Sequence, residues 1–314
     1  MKSKRLLGNS SLVIASLFWG STFVAQEVGM QYVRPFTFLA ARSLLGFLFL
    51  LAIIPIIDKF KKSSTASEIS DTEKKPKKLL LIGGLFCGIA LTISSGLQQF
   101  GMVDGDAGKA GFITAMYILL VPVWGLFMKK KVSPVIWACV LLGVIGLYFL
   151  CMKPGAGFTL QASDIFLILC AISFSIHIII VDYFSPKVDG VRLSCIQFFV
   201  VFILASILAI IFDKPSFESI ISATLPICYA GIMSSGIAFT LQIIGQKYTE
   251  PTIASLLMSL ESVFAVLTSI IVLHKAPTER EWIGSAIMFV AIIISQLPIG
   301  TKKKAVSDGL NENL

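Results

Sequence analysis

The sequence predicts an all-α integral membrane protein whose ten transmembrane helices form two inverted five-helix repeats, and three observations carry that prediction. Hydrophobic residues make up 56% of the 314, charged residues only 14%, and the mean hydropathy is +0.87, a balance found in polytopic membrane proteins rather than soluble domains. Ten apolar runs approach the length of about 20 residues that an α-helix needs to cross hydrocarbon. Basic residues gather in alternate connections, as they do when loops sort to the two sides of a membrane.

The first run, Ser10 to Met30, follows Lys2, Lys4 and Arg5 in the manner of a signal peptide. No small-residue cleavage pattern follows, and the run reaches spanning length, so it reads as a retained helix. Phe36 to Ile57, Leu79 to Gly101, Ala110 to Met128 and Pro134 to Met152 complete a first repeat over residues 1–152. Asp164 to Phe184, Val191 to Phe212, Ala223 to Ile244, Thr252 to Leu273 and Trp282 to Pro298 make a second over residues 153–300. Five crossings are an odd number, so the second repeat starts on the opposite face and is inverted, a plan known from secondary transporters.

Residues 58–78 carry Ser63, Ser64, Ser67 and Ser70 among lysines and acids; such a segment cannot bury a core and reads as a flexible cytoplasmic loop that touches anionic lipid. The tail, 301–314, has the same character. With the N-terminus inside, the inner connections hold 19 of the 26 Lys and Arg and the outer ones six, Arg42 alone lying within a span. That asymmetry places both termini in the cytoplasm of a multi-pass protein of the cell membrane.

Composition also excludes. The net charge of +8 is explained by topology, and no basic face remains for nucleic acid. The six cysteines lie in or beside apolar runs without a CxxC pair, and with only two histidines neither a disulfide framework nor a metal site is supported. No HExxH, GxSxG or pair of membrane aspartates appears, so no catalytic residues and no cofactor are expected.

Thr252 to Leu273 carries one charge, Glu261, near its middle. At 100° per residue the bulky side chains fall on one side, while Ser259, Glu261 and Ser262 fall on the other with alanines and further hydroxyls. A carboxylate at the bilayer centre costs at least about 2.5 kcal/mol, so it faces inward, either lining a site or bonding a neighbouring helix. In the fourth run Pro122 frees the carbonyl of Ile118 at mid-membrane, a kink that persists only where protein or water satisfies the group.

Phe18-Trp19-Gly20-Ser21-Thr22-Phe23 in the first run, Ala41-Arg42 in the second, Val121-Pro122-Val123 in the fourth and Ser259-Leu260-Glu261-Ser262-Val263 in the ninth together resemble the drug/metabolite transporter superfamily, in particular its EamA-type ten-helix members. The resemblance covers Leu6 to Leu297. It implies two inverted repeats around a central cavity that moves small organic solutes by alternating access, often exporting amino acids or related metabolites. Two departures stand out: the usual Glu-Pro of the ninth helix is Glu261-Ser262, and the acid that often ends the fourth is replaced by Lys129-Lys130-Lys131.

Individual residues suggest how a solute would be held. Trp19, Thr22 and Gln26 share one stripe of the first helix, and Ser173 and His177 one of the sixth, where an imidazole would relay protons or simply hydrogen-bond. Tyr117 lies near the carbonyl that Pro122 frees; Gln98, Gln99, Gln242 and Gln246 end their helices and are gate candidates. Glu27 and Arg42, at similar depth, suggest a structural ion pair. The leading expectation is a secondary transporter for a small-molecule solute in the lipid bilayer, with proton coupling through Glu261 or His177. The alternatives are a non-transporting accessory or structural subunit and, more remotely, an intramembrane enzyme.

Overall fold

The computed structural model describes residues 2–64, 77–103, 107–129, 132–152, 161–274 and 276–297. Among them all regular structure is helical, as a bilayer requires of a chain whose backbone groups find no water. Up to residue 152 the helices are α1 (Lys2–Gly29), α2 (Pro35–Ser64), α3 (Lys77–Val103), α4 (Ala107–Ala115), α5 (Tyr117–Phe127) and α6 (Pro134–Cys151). From residue 161 they are α7 (Ala162–Phe184), α8 (Gly190–Leu208), α9 (Phe217–Ser222), α10 (Thr224–Tyr229), α11 (Phe239–Gln246), α12 (Pro251–Met258), α13 (Glu261–Leu273) and α14 (Glu279–Gln296). π-helical turns extend α8 over Ala209–Asp213 and join α10 to α11 over Ala230–Ala238.

Eight of the described helical stretches are long and apolar enough to cross a membrane, and Gly111–Phe127 is a shorter apolar one. α14 covers the last run; its N-terminus is closed by a capping box in which Thr278 and Glu281 exchange side-chain and backbone bonds. Of the loop expected over residues 58–78, the first part is helix: α2 continues to Ser64 because lysines sustain a helix and Asp58 is tied to Arg192 at 2.6 Å. Residues 65–76 and the expected tail over 301–314 lie outside the described residues.

Two spans that read as single helices are interrupted, and a third changes its winding. Between α4 and α5 the winding tightens at Met116, whose N–H donates to the Ile113 carbonyl at 3.1 Å while its own carbonyl accepts from Leu119 at 3.0 Å. Pro122 lies buried inside α5, beyond this point. The break between α12 and α13 has no proline. There Ser255 and Ser259 donate to the Thr252 and Leu256 carbonyls at 2.9 and 2.8 Å, the local competition that bends helices, and Leu260 N–H falls back to Leu257 at 3.3 Å. The eighth run carries Pro226 in the first turn of α10 and changes winding at the glycine-containing π-helical turn after it.

α1 packs against α12–α13 and against the α10–α11 run; α7 packs in the same manner against α4–α5 and α3. α2 lies on α8, α6 on α14, and α5 meets α12. The largest buried cluster joins Leu12, Ile118, Leu147, Leu256, Leu260 and Met288 across these contacts, while Leu81, Phe86, Ile210, Ile211 and Leu225 stay exposed on the outside, where a bilayer supplies their environment. α6 and α14 approach backbone to backbone: a Cβ on Gly284 would meet the Gly146 carbonyl oxygen and the Leu150 nitrogen at 2.6 Å each. Gly284→Val is therefore expected to destabilise the protein by about 1–3 kcal/mol or more through overpacking, read as a lowered midpoint of thermal unfolding in detergent.

Candidate functional site

A cavity of about 70 Å³ lies at the middle of the bundle. α1 turns Trp19, Thr22, Phe23 and Gln26 towards it, residues spaced i, i+3, i+4 and i+7 on one face. α7 contributes Phe174, His177 and Ile178; the two interrupted spans contribute Thr114, Tyr117, Met258 and Glu261. Arg42, Ser95, Gln98, Ser234, Phe239 and Gln242 complete the wall.

Gly20 sets how close α1 comes to Glu261. A Cβ at this position would lie 2.5 Å from the Glu261 carbonyl oxygen, 2.6 Å from Phe264 Cβ and 2.7 Å from Ala265 N, so only hydrogen fits. Glu261 is the first residue of α13 and Tyr117 the first of α5; the Tyr117 hydroxyl donates to Glu261 Oε1 at 3.3 Å and joins the two interrupted spans across the cavity. The Trp19 ring meets Phe239 edge-on at 4.8 Å. His177 is 1% exposed and its Nε2 lies 3.0 Å from Gln197 Oε1 on α8, a residue that is not part of the cavity wall. Three lining atoms are buried without a hydrogen-bond partner among the described residues: Trp19 Nε1, Arg42 Nε and Gln242 Oε1. Such groups are costly unless a solute or water meets them.

The structure thus brings Trp19, Thr22, Gln26, Tyr117, His177, Glu261, Gln98 and Gln242 to one cavity. Ser173 is elsewhere: its hydroxyl is 2.8 Å from that of Ser94 and ties α7 to α3. Ser259 is fully buried on its own helix, and Ser262 stands beside Glu261 without lining the space. Gln99 accepts from Gln26 at 3.2 Å. Glu27 is exposed while Arg42 is 7% exposed in the cavity wall, so the two have opposite burial despite their similar place along the helices. The aromatic residues Phe23, Phe174 and Phe239 were not expected from sequence. On α7 the lining face is Phe174, His177 and Ile178, rotated from the stripe that its polar residues suggest.

A second cavity, about 570 Å³, opens at the end of the bundle that carries the α11–α12 connection, among Asp182, Lys247 and Glu250. Four helices line both spaces: α7 with the adjacent Ile178 and Ile179, α11 with Gln242 and Gln246, α5 with Tyr117 and Val121, and α12 with Met258 and Thr252. Between the two spaces Gln246 donates to the Ile178 carbonyl at 3.0 Å.

Membrane-length helices around an inner cavity lined by both aromatic and polar side chains define a multi-pass membrane protein built to admit a solute. The chain belongs to the EamA-like transporter family, whose model matches residues 6–152 and again residues 161–297. It is a membrane transporter. A protein of Archaeoglobus fulgidus named "Uncharacterized transporter" is 30% identical over 302 residues, 94% of this chain and 88% of its own. Another of that name from Clostridium kluyveri is 23% identical over 234 residues, covering 70% and 75%. A crystal structure of a further protein superposes with a TM-score of 0.73 over 94% of this chain and 97% of that one at 19% identity, a likeness of fold.

The lining makes a labelling pattern. The six native cysteines are free and are first replaced by Ala. Trp19→Cys, Gln26→Cys and Gln242→Cys are then expected to react with a small water-soluble thiol reagent at least tenfold faster than Ser173→Cys and Ser259→Cys, as followed by mass spectrometry. Equal rates would dissolve the distinction between wall and packing residues.

Proposed function

We propose that this protein is a secondary active transporter that exports a small organic metabolite, an amino acid or related compound, across the cell membrane by alternating access. Ten crossings, two inverted repeats over residues 1–152 and 153–300, and cytoplasmic termini complete the reading. The tandem family match supports the repeats, as does the way α1 and α7 each pack against the other half's interrupted span and its preceding helix. The 19 to 6 distribution of loop cations supports the orientation.

One observation carries the reading: the central cavity and a second space at the bundle end share α5, α7, α11 and α12 as walls, with the Gln246–Ile178 bond between them. Gln246 and Gln242 are the gate residues on that side, and Gln98 with the Gln26–Gln99 pair those on the other. Glu261 is the group through which a proton or a cationic solute couples; its carboxylate is held at mid-membrane by one hydroxyl. His177, bonded to Gln197, serves as a positioning residue of the wall or as a second proton site.

Purified protein in sealed proteoliposomes, screened against a broad panel of metabolites with and without a pH gradient, tests this reading. Glu261→Gln is expected to lower flux at least tenfold and to remove the response to the gradient. Unchanged flux would reject a charged role for Glu261, and absence of any flux in wild type would favour an accessory membrane subunit. Thiol labels placed separately at Met1 and Leu314 are expected to react from the same side of the membrane; reaction from opposite sides would overturn ten crossings.

A further inference from the structure

Arg42 is the one charged group of the central cavity to which the transport reading gives no task. It stands 7% exposed on the stretch of α2 that packs against the π-helical turn, where its carbonyl oxygen lies 3.0 Å from the position of a Gly231 Cβ. Its Nε is buried with no partner among the described residues. Among the described residues the one carboxylate in the cavity wall is Glu261, whose hydrogen bond comes from Tyr117 rather than from Arg42. The described arginine–aspartate pairs lie at the bundle end, between Arg192 and Asp58 or Asp189.

Two opposite charges therefore face one cavity without compensating each other. Arg42 lies about 10 Å along α2 from its first residue, and Glu261 about 15 Å along the interrupted span from Pro251 at the other end. In hydrocarbon about 30 Å thick, the two sit within about a helical turn of the same depth. A guanidinium stays charged at any physiological pH and is costly so deep unless an anion meets its planar donor fork. A purely anionic solute would leave Glu261 uncompensated and a purely cationic one would leave Arg42. A solute with both charges offsets both.

We infer that Arg42 is the anion-binding residue of the solute site: its guanidinium donates to a carboxylate of the solute while Glu261 takes the solute's cationic group. Trp19, Phe174 and Phe239 then receive the apolar body. This assignment rests on the transport reading and departs from a structural role for Arg42 opposite Glu27.

Proteoliposomes carrying the full chain are tested with three matched sets of probes: the standard L-amino acids, their carboxamides, which lack the carboxylate, and their deaminated acids, which lack the amine. Wild type is expected to move at least one amino acid at least tenfold faster than both of its analogues. Arg42→Gln should remove the preference over the carboxamide, and Arg42→Lys should restore part of it, because the charge remains while the fork is lost. Thermal unfolding separates function from structure: Arg42→Gln should unfold at the same or a higher temperature than wild type, since it relieves an uncompensated buried charge. A lower unfolding temperature for Arg42→Gln, equal transport of amino acids and carboxamides, or a preference unchanged in Arg42→Gln overturns the inference. If none of the three sets moves while another metabolite does, the inference falls and transport stands; if nothing moves, transport itself falls and the inference with it.

Discussion

Polar groups in this bundle are governed by the absence of water across about 30 Å of hydrocarbon. Serines and threonines inside the helices spend their hydroxyls on carbonyls of the preceding turn, as Ser11 does with Leu7, Thr22 with Phe18 and Thr92 with Gly88. Longer side chains pair between helices: Gln26 with Gln99, His177 with Gln197, Thr240 with Ser194. Against that rule, Trp19 Nε1, Arg42 Nε and Gln242 Oε1 belong to residues of the cavity wall and have no partner among the described residues, while others such as Gln197 Nε2 and Gln246 Oε1 lie on residues outside that wall. An unpaired buried polar group is costly, and the three in the wall are the ones a solute or water in the cavity stands nearest to.

The backbone at this place is equally constrained. Both interrupted spans change winding one or two residues before the side chain that bridges them, at Met116 before Tyr117 and at Ser259-Leu260 before Glu261. α1 reaches this junction only because Gly20 presents hydrogen to the Glu261 carbonyl, and Trp19 and Thr22 flank the contact on the cavity face. The resemblance motif around Phe18-Trp19-Gly20 thus has a mechanical content: one residue allows the approach and its neighbours make the wall. Where Glu-Pro is usual, this chain has Glu261-Ser262, and back-bonding by Ser255 and Ser259 supplies the bend that a proline would otherwise impose.

Much of this was legible beforehand. Hydropathy alone located every apolar run that the structure shows as helix, because run length and the cost of exposed backbone leave little choice. The α1 stripe was found because α1 is regular and 100° per residue holds along it. Such a count does not carry into the eighth run, where Phe239 follows nine π-helical residues that shift every later side chain around the axis. On α7 the error was chemical, since polarity was taken to mark the lined face. Cys170 and Ser173 instead meet Thr114 and Ser94 in the packing, while Phe174 faces the cavity. For Arg42 and Glu27, similar depth along their helices goes with different burial, Arg42 in the cavity wall and Glu27 exposed.

The pattern of packing ties these parts into one device. α1 and α7 each lean on an interrupted span of the opposite half, and the two spans touch each other through α5 and α12 and through Tyr117 and Glu261. A displacement of α1 against α13 therefore reaches the Tyr117 hydroxyl directly, and through α5 it reaches Val121 in the wall of the second cavity. The same α5 carries Tyr117 in the central cavity, so the two spaces share walls that move as rigid helices. With shared walls and the Gln246–Ile178 bond between them, exchanging which space is open asks for movement of α5, α7, α11 and α12, whereas the Gly146–Gly284 and α2–α8 contacts lie outside that path. The proposed alternation thus asks for movement at the interrupted spans, the segments whose main-chain bonding is already the least regular.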